Sequence, residues 1–291
     1  GRLEERPACQ HRRGAESKGM RAMSKATFYG GEQYPLEMHK VRIIQKLNLL
    51  PIEERLKAAE AAGHNTFLLQ NADVFLDMLT DSGVNAMSQE QQAAMFRADD
   101  AYAGSATFTR LHEKVVEVFG MPYFLPTHQG RAAEHIISTV LVRPGTFVPM
   151  NYHFTTSKAH VVANGGEVLE LIHPEGLAVT SSHPFKGDMD TEALGDLIAA
   201  EGSDAIAYVR IEAGTNLIGG QPVSLANMQE VSGICHSHGI PLVMDASLIA
   251  DNLYFAKVRE EQCCGMEIRD IMRAMCDLFD IVYFSARKVG F

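Results

Sequence analysis

Tryptophan is absent from the 291 residues, and the five cysteines (Cys9, Cys235, Cys263, Cys264, Cys276) are odd in number, with one adjacent pair and no CxxC spacing. That pattern argues against a disulfide framework and a cysteine zinc module, and fits a reducing cytoplasm. The twelve histidines form no HxxxH or HExxH arrangement, so His236 and His238 read as solvated side chains rather than metal ligands. No apolar run approaches the roughly 20 residues of a membrane span. The N-terminal stretch RLEERPACQHRRGAESKG also lacks the apolar core of a signal peptide. Positive charge is the scarcer sign: 26 Lys and Arg stand against 36 Asp and Glu, giving a net charge of -10 and a pI near 5.6. A phosphate-neutralising or anionic-membrane surface is therefore not expected. Internal repeats and low-complexity linkers are lacking too. What is present is a globular composition, 46% hydrophobic and 21% charged, enough for one large domain or two modest ones. These features fit a soluble enzyme acting on a small molecule.

Residues 1–25 lack apolar periodicity and read as a disordered tail, with Met20 or Met23 as candidate starts. Residues 26–62 read as an N-terminal arm with part of a small domain, and 63–291 as a large domain. A helical pattern over Leu56–Ala62 closes at Gly63. Thr66–Leu69 reads as a short strand or extended segment, and Tyr123–Leu125 as a strand. Helices are expected at Gln89–Phe96, Phe108–Phe119, Ala132–Leu141, Thr191–Ala200 and Leu225–His238. Strands are expected at Phe147–Pro149, Val168–Leu171, Ala205–Ile211, Leu242–Met244 and Ile281–Phe284. Short buried strands alternating with helices predict an α/β fold, a mainly parallel sheet with helices on both faces. In such sheets ligands bind beyond the carboxyl ends of the strands, and the residues there are polar: PTHQGR, MNYHFTT, EAGTNLIGGQP, DAS and SARK.

Those ends could serve a cofactor carrying a phosphate, an aromatic pyridine and an aldehyde. Thr127-His128-Gln129-Gly130-Arg131 lies in a turn entering a helix, where free N–H groups hold phosphate and Gly130 permits close approach; an ordinary turn reads the same way. Asp245 closes an apolar strand, and a desolvated carboxylate there needs a positive partner such as a protonated pyridine nitrogen, unless it is only a helix cap. Lys288 follows the last strand beside Ser285 and could form a Schiff base, although a lysine in isolation is more often a surface residue. The combination of the three, in that order, favours pyridoxal 5'-phosphate (PLP).

Along nearly all of residues 34–288 the sequence resembles the tryptophanase and tyrosine phenol-lyase family. The resemblance rests on YP (34–35), ERLKAAEAAGHNTFLL (54–69), MLTDSGVNAMS (78–88), DDAYAGS (99–105), PTHQGR (126–131), FTT (154–156), FKGDMD (185–190), NLIGGQPVSLANM (216–228), DAS (245–247), NLYF (252–255) and SARK (285–288). It implies PLP fold type I, an aspartate-aminotransferase-like large domain, and β-elimination of tyrosine or tryptophan to phenol or indole, pyruvate and ammonium. By the same resemblance Lys288 carries the cofactor and shuttles the α-proton, Asp245 pairs with the pyridine nitrogen, Asn216 bonds the ring oxygen and the substrate, and Phe154 stacks on the ring. Gln129, Gly130, Arg131 and Ser285 hold the phosphate. Tyr102 protonates the leaving aromatic carbon in a neighbouring subunit's site, Thr80 and Ser82 lie near the substrate carboxylate, and Gly83 with Asp100 resemble a K+ site. A cytoplasmic homotetramer, built as a dimer of dimers, is implied as well.

Two departures qualify the match, and one position bears on the substrate. The family carries an arginine three residues after the pyridine-binding Asp, where this chain has Leu248; either Arg287 compensates or the cofactor sits differently. The chain stops at Phe291 where the family continues, so a fragment with an incomplete site is expected. Thr155 matches the phenol-lyase form of its position and tilts the substrate towards tyrosine. The competing readings are another fold type I activity, aldolase-like or aminotransferase-like, and an inactive piece that only makes subunit contacts.

Overall fold

The computed structural model describes residues 25–27, 33–35, 47–77 and 87–290. The chain forms two compact units that divide at Asp81/Ser82. In the smaller, β1 (Lys25–Thr27) pairs antiparallel with β2 (Gln33–Pro35), and α1 spans Ile52–Ala61 with Glu53 and Glu54 in its first turn, where the helix dipole favours acidic groups. The segment expected to be extended at Thr66–Leu69 is instead a 3-10 turn over Thr66–Leu68. The Asn65 side chain accepts from Phe67 N at 3.0 Å, and this local bond curls the chain.

In the larger unit, α2 (Gln89–Phe96) starts on a Ser88–Gln91 capping box. Helix α3 (Ala106–Phe119) begins two residues earlier than the apolar periodicity predicts, because Ser105 caps Phe108 N while Asp99 takes the N–H groups of Ala106 and Thr107. The expected strand at Tyr123–Leu125 does not form. Pro122 and Pro126 bracket the segment, no strand among the described residues pairs with it, and Tyr123 and Leu125 face solvent.

The remaining chain alternates between helix and strand, with α5, α8, α9 and α10 in addition to the helices expected: α4 (Gly130–Leu141), β3 (Phe147–Met150), α5 (Thr155–Ala163), β4 (Glu167–Glu170), α6 (Thr191–Glu201), β5 (Val209–Glu212), α7 (Leu225–Ser237), β6 (Leu242–Asp245), α8 (Ile249–Arg259), α9 (Ile268–Cys276), β7 (Ile281–Tyr283) and α10 (Ala286–Val289). Strand β5 starts four residues late because Ser203–Ala205 is a 3-10 turn. The five strands form one parallel sheet in the order β4-β3-β5-β6-β7.

Alternation along the strands sends side chains to two cores. Val209 and Ile211 of β5, with Leu242 and Met244 of β6, pack with α6, α7, α8 and α9. Tyr208 and Val243 pack on the other face with Val142, Val148, Met150, Val161 and Tyr283, against Ala133, Ile137 and Leu141 of α4. Each fully buried side chain of this size contributes about 1.5–3 kcal/mol, so both layers hold the sheet. The same period of two places Arg210 and Glu212 on the α4 and α5 face, inside the second core.

Candidate active site

Strand order reverses between β3 and β5, and a ligand crevice opens beyond the carboxyl ends at such a point. Asn151, fully buried just after β3, fastens the two strands there. Its Oδ1 accepts from Glu212 N at 3.0 Å, and its Nδ2 donates to Gly187 O at 2.9 Å and to Glu212 O and Thr215 Oγ1 at 3.2 Å. The loop that follows is thereby fixed, with Asn216 N donating to Glu212 Oε1 at 3.2 Å.

Several expected residues are brought close to one another in pairs. Gln129 is the N-cap of α4 in extended backbone, and its side chain makes no cap bond to the free N–H groups of the first turn. Gly130 lies against Ser285: a Cβ added at Gly130 would stand 3.1 Å from the Ser285 Cβ and 3.5 Å from its Oγ. This glycine keeps open a cradle between the helix start and the serine hydroxyl, whose donors suit a phosphate. Lys288, half-buried in α10, places its Nζ 5.6 Å from the centre of the Phe154 ring, at the N-cap of α5. An amine above an aromatic plate, a phosphate-type cradle and a buried carboxylate are the donor set that PLP requires, and the residues present fit it.

Arg131 and Thr155 are exposed, and Asn216 is half-buried. Tyr102 and Asp100 sit on the exposed loop between α2 and α3. Thr80, Ser82 and Gly83 lie outside the described residues. Among the described residues, no cluster of three or more His, Cys, Asp or Glu is arranged to hold a metal ion.

Asp245, 4% exposed at the end of β6, has a partner that sequence reading missed. Arg210, fully buried on β5, donates to Asp245 Oδ2 at 2.6 Å, to Tyr283 Oη at 2.9 Å through Nε, and to Tyr152 O at 3.3 Å; its Nη1 lies 3.5 Å from Glu212 Oε2. Tyr283 Oη lies 2.8 Å from Asp245 Oδ2, and Ser247 N donates to Oδ1 at 2.9 Å. Burial alone would raise the Asp245 carboxyl, but Arg210, then Ser247 and Tyr283, outweigh it and hold it below the usual range. Burial opposes the Arg210 charge, yet Tyr283, Asp245 and Glu212 hold the guanidinium well above its usual value. Glu212 is pushed up to about 7 by burial, which Arg210 only partly offsets.

The cation beside Asp245 thus comes from the neighbouring strand. Arg287, the alternative foreseen, is exposed on α10, and Leu248 packs at Gly214, where an added Cβ would lie 2.9 Å from its own. Charged residues two apart in the apolar run AIAYVRIEA were the available signal for Arg210 and Glu212.

The sequence profile of the Beta-eliminating lyase family matches residues 77–291, well over half of the chain. The chain belongs to this family. Among its relatives, tyrosine phenol-lyase of Symbiobacterium thermophilum is 42% identical over 252 residues, covering 87% of this chain and 55% of that protein. Tyrosine phenol-lyase of Pasteurella multocida is 42% identical over 255 residues, covering 88% and 56%. The chain therefore spans about half the length of the curated relatives it matches. A solved threonine aldolase from Leishmania major shares the fold, with a TM-score of 0.50 at 17% identity over 72% of this chain and 58% of that one. The α/β class expected from the alternating strands stands. Among the described residues, no helix is long and apolar enough to cross a membrane.

Proposed function

We propose that the whole protein is a PLP-dependent lyase that eliminates the aromatic side chain of tyrosine, giving phenol, pyruvate and ammonium. The observation that carries this reading is the tyrosine phenol-lyase relatives at 42% identity, supported by Thr155 and by the amine, carboxylate and cradle. When bound, the cofactor supplies an electron sink for the carbanion formed at the substrate's α-carbon.

The chain's own residues do the rest. Lys288 would hold the cofactor through its Nζ, and the same Nζ would take the substrate's α-proton. Asp245 holds the ring nitrogen, Asn216 the ring oxygen and the substrate, and Phe154 the ring face. Gln129, Gly130, Arg131 and Ser285 bind the phosphate. Thr80, Ser82 and Thr155 orient the substrate. Tyr102 delivers a proton to the departing aromatic carbon in a neighbouring subunit, Gly83 and Asp100 hold K+, and the assembly is a cytoplasmic homotetramer. Residues 26–62 form an N-terminal arm with part of a small domain.

The test is product analysis of PLP-loaded protein with tyrosine and, separately, tryptophan. Phenol, pyruvate and ammonium in equal amounts from tyrosine support the reading; indole as the faster product transfers it to tryptophan. Transamination to a keto acid without release of phenol overturns it.

A further inference from the structure

Tyr283 stands between two carboxyls with a single hydroxyl proton. Its oxygen lies 2.8 Å from Asp245 Oδ2 and 3.1 Å from Glu134 Oε1, and accepts from Arg210 Nε at 2.9 Å. One O–H cannot donate to both carboxyls at once. Asp245 is the nearer and is already the anion of the Arg210 ion pair, so the phenol proton points there. Glu134 then bonds the phenol oxygen only by donating a proton of its own.

The surroundings of Glu134 favour that state. It is 6% exposed on α4, and among the described residues its Oε2 has no hydrogen-bond partner. Burial raises its carboxyl, and Asp245 adds to this; the Thr156 hydroxyl, Arg210 and Tyr283 work in the other direction without reversing it. Tyr208 lies on the same buried face, its own hydroxyl raised by burial and by Glu134. Each hydrogen is then used once, in a chain from Glu134 through Tyr283 to Asp245.

We propose that Glu134 stores one proton for the cofactor's ring nitrogen, with Tyr283 linking the two through Asp245. This rests on the reading that Asp245 faces that nitrogen. The Glu134 O–H bond breaks as its proton passes to the phenol oxygen, and the phenol's own proton passes to Asp245. Asp245 in turn delivers a proton to the ring nitrogen, where an N–H bond forms. Net charge is unchanged: the ring gains one positive charge, and Glu134 becomes a carboxylate within the field of Arg210. Glu134 and Tyr283 are positioning residues, since they act through Asp245.

The experiment counts protons exchanged with solvent on PLP binding, by calorimetry in two buffers of different ionisation enthalpy, for wild type, Glu134→Gln and Glu134→Leu. Borohydride labelling of Lys288 in each checks loading. Glutamine keeps a donor towards the phenol oxygen, and Glu134→Leu, which removes the stored proton with an apolar side chain suited to the buried site, stands in should Glu134→Gln not fold. The expected result is about one more proton drawn from solvent per PLP in either variant than in wild type. Equal proton counts with Lys288 labelled overturn the proposal and leave the cofactor reading standing. Failure to label Lys288 in wild type overturns both.

Discussion

Replacing Arg210 with methionine keeps the stem that packs in the core and removes the charge. The guanidinium is 1% exposed and donates to Asp245, Tyr283 and the Tyr152 carbonyl. Its loss strands Asp245 and Glu212, both buried, with no cation between them. Breaking a buried pair from one side costs about 3–5 kcal/mol, a large part of the roughly 5–15 kcal/mol that holds a domain folded. Urea unfolding at neutral pH, followed by circular dichroism, measures the loss directly. The pH dependence has a definite sign. Without Arg210 the Asp245 carboxyl rises above its unfolded value, so the variant loses further stability as pH rises, whereas wild type keeps this carboxylate's contribution down to acid pH. Arg210→Met with Glu212→Gln leaves only one stranded carboxylate and should recover part of the loss. A cost below about 1 kcal/mol, the range of a solvent-exposed pair, would refute the account of this ion pair.

Asp188 is pushed up to about 7, chiefly by burial, against hydrogen bonds from Ser224. Its contribution is therefore complete below the unfolded carboxyl value of about 3.9 and is lost as pH rises through the folded value. Asp188→Asn should flatten the fall in melting temperature across that window, and an unchanged slope contradicts the assignment. Asn151→Ala removes the side chain that ties β3 to Glu212, Gly187 and Thr215, at an expected cost of about 2–4 kcal/mol by chemical denaturation; a neutral effect would show that the strand junction stands without it. Gly130→Ala pushes a methyl against Ser285 and should weaken PLP binding about tenfold, equivalent to about 1.4 kcal/mol, with little change in melting temperature. Unchanged affinity in spectrophotometric titration would separate the cradle from the phosphate.

The fold was legible where strands were short, apolar and followed by a helix signal: β3, β4, β6 and β7 lie within a residue or so of the expected ranges. Helices α5, α8, α9 and α10 were not anticipated. The β-branched residues in TTSKAHVVA mask the first, whereas α9 carries a legible helical spacing of Ile268, Ile271, Met272, Met275 and Cys276, the last four of which are buried. Tyr123–Leu125 carries strand propensity but has no strand to pair with among the described residues. In the candidate site, residues carrying motif chemistry, among them Gly130, Asp245, Ser285 and Lys288, could be named from sequence. Glu134, Tyr283 and Asn151 could not, and Arg210 only through the charge pattern in AIAYVRIEA, because their roles arise from pairings 35 to 149 positions apart that the folded chain creates. The register also answers the question raised by Leu248, since it brings a cation to Asp245 from β5.

The central claim is that this chain assembles a PLP site on Lys288. The direct measurement is to mix the purified protein with PLP, reduce with borohydride and map the labelled peptide by mass spectrometry, with Lys288→Ala alongside. The account predicts a single label on Lys288 that disappears in the variant. A label spread over surface lysines and unchanged by Lys288→Ala would contradict it.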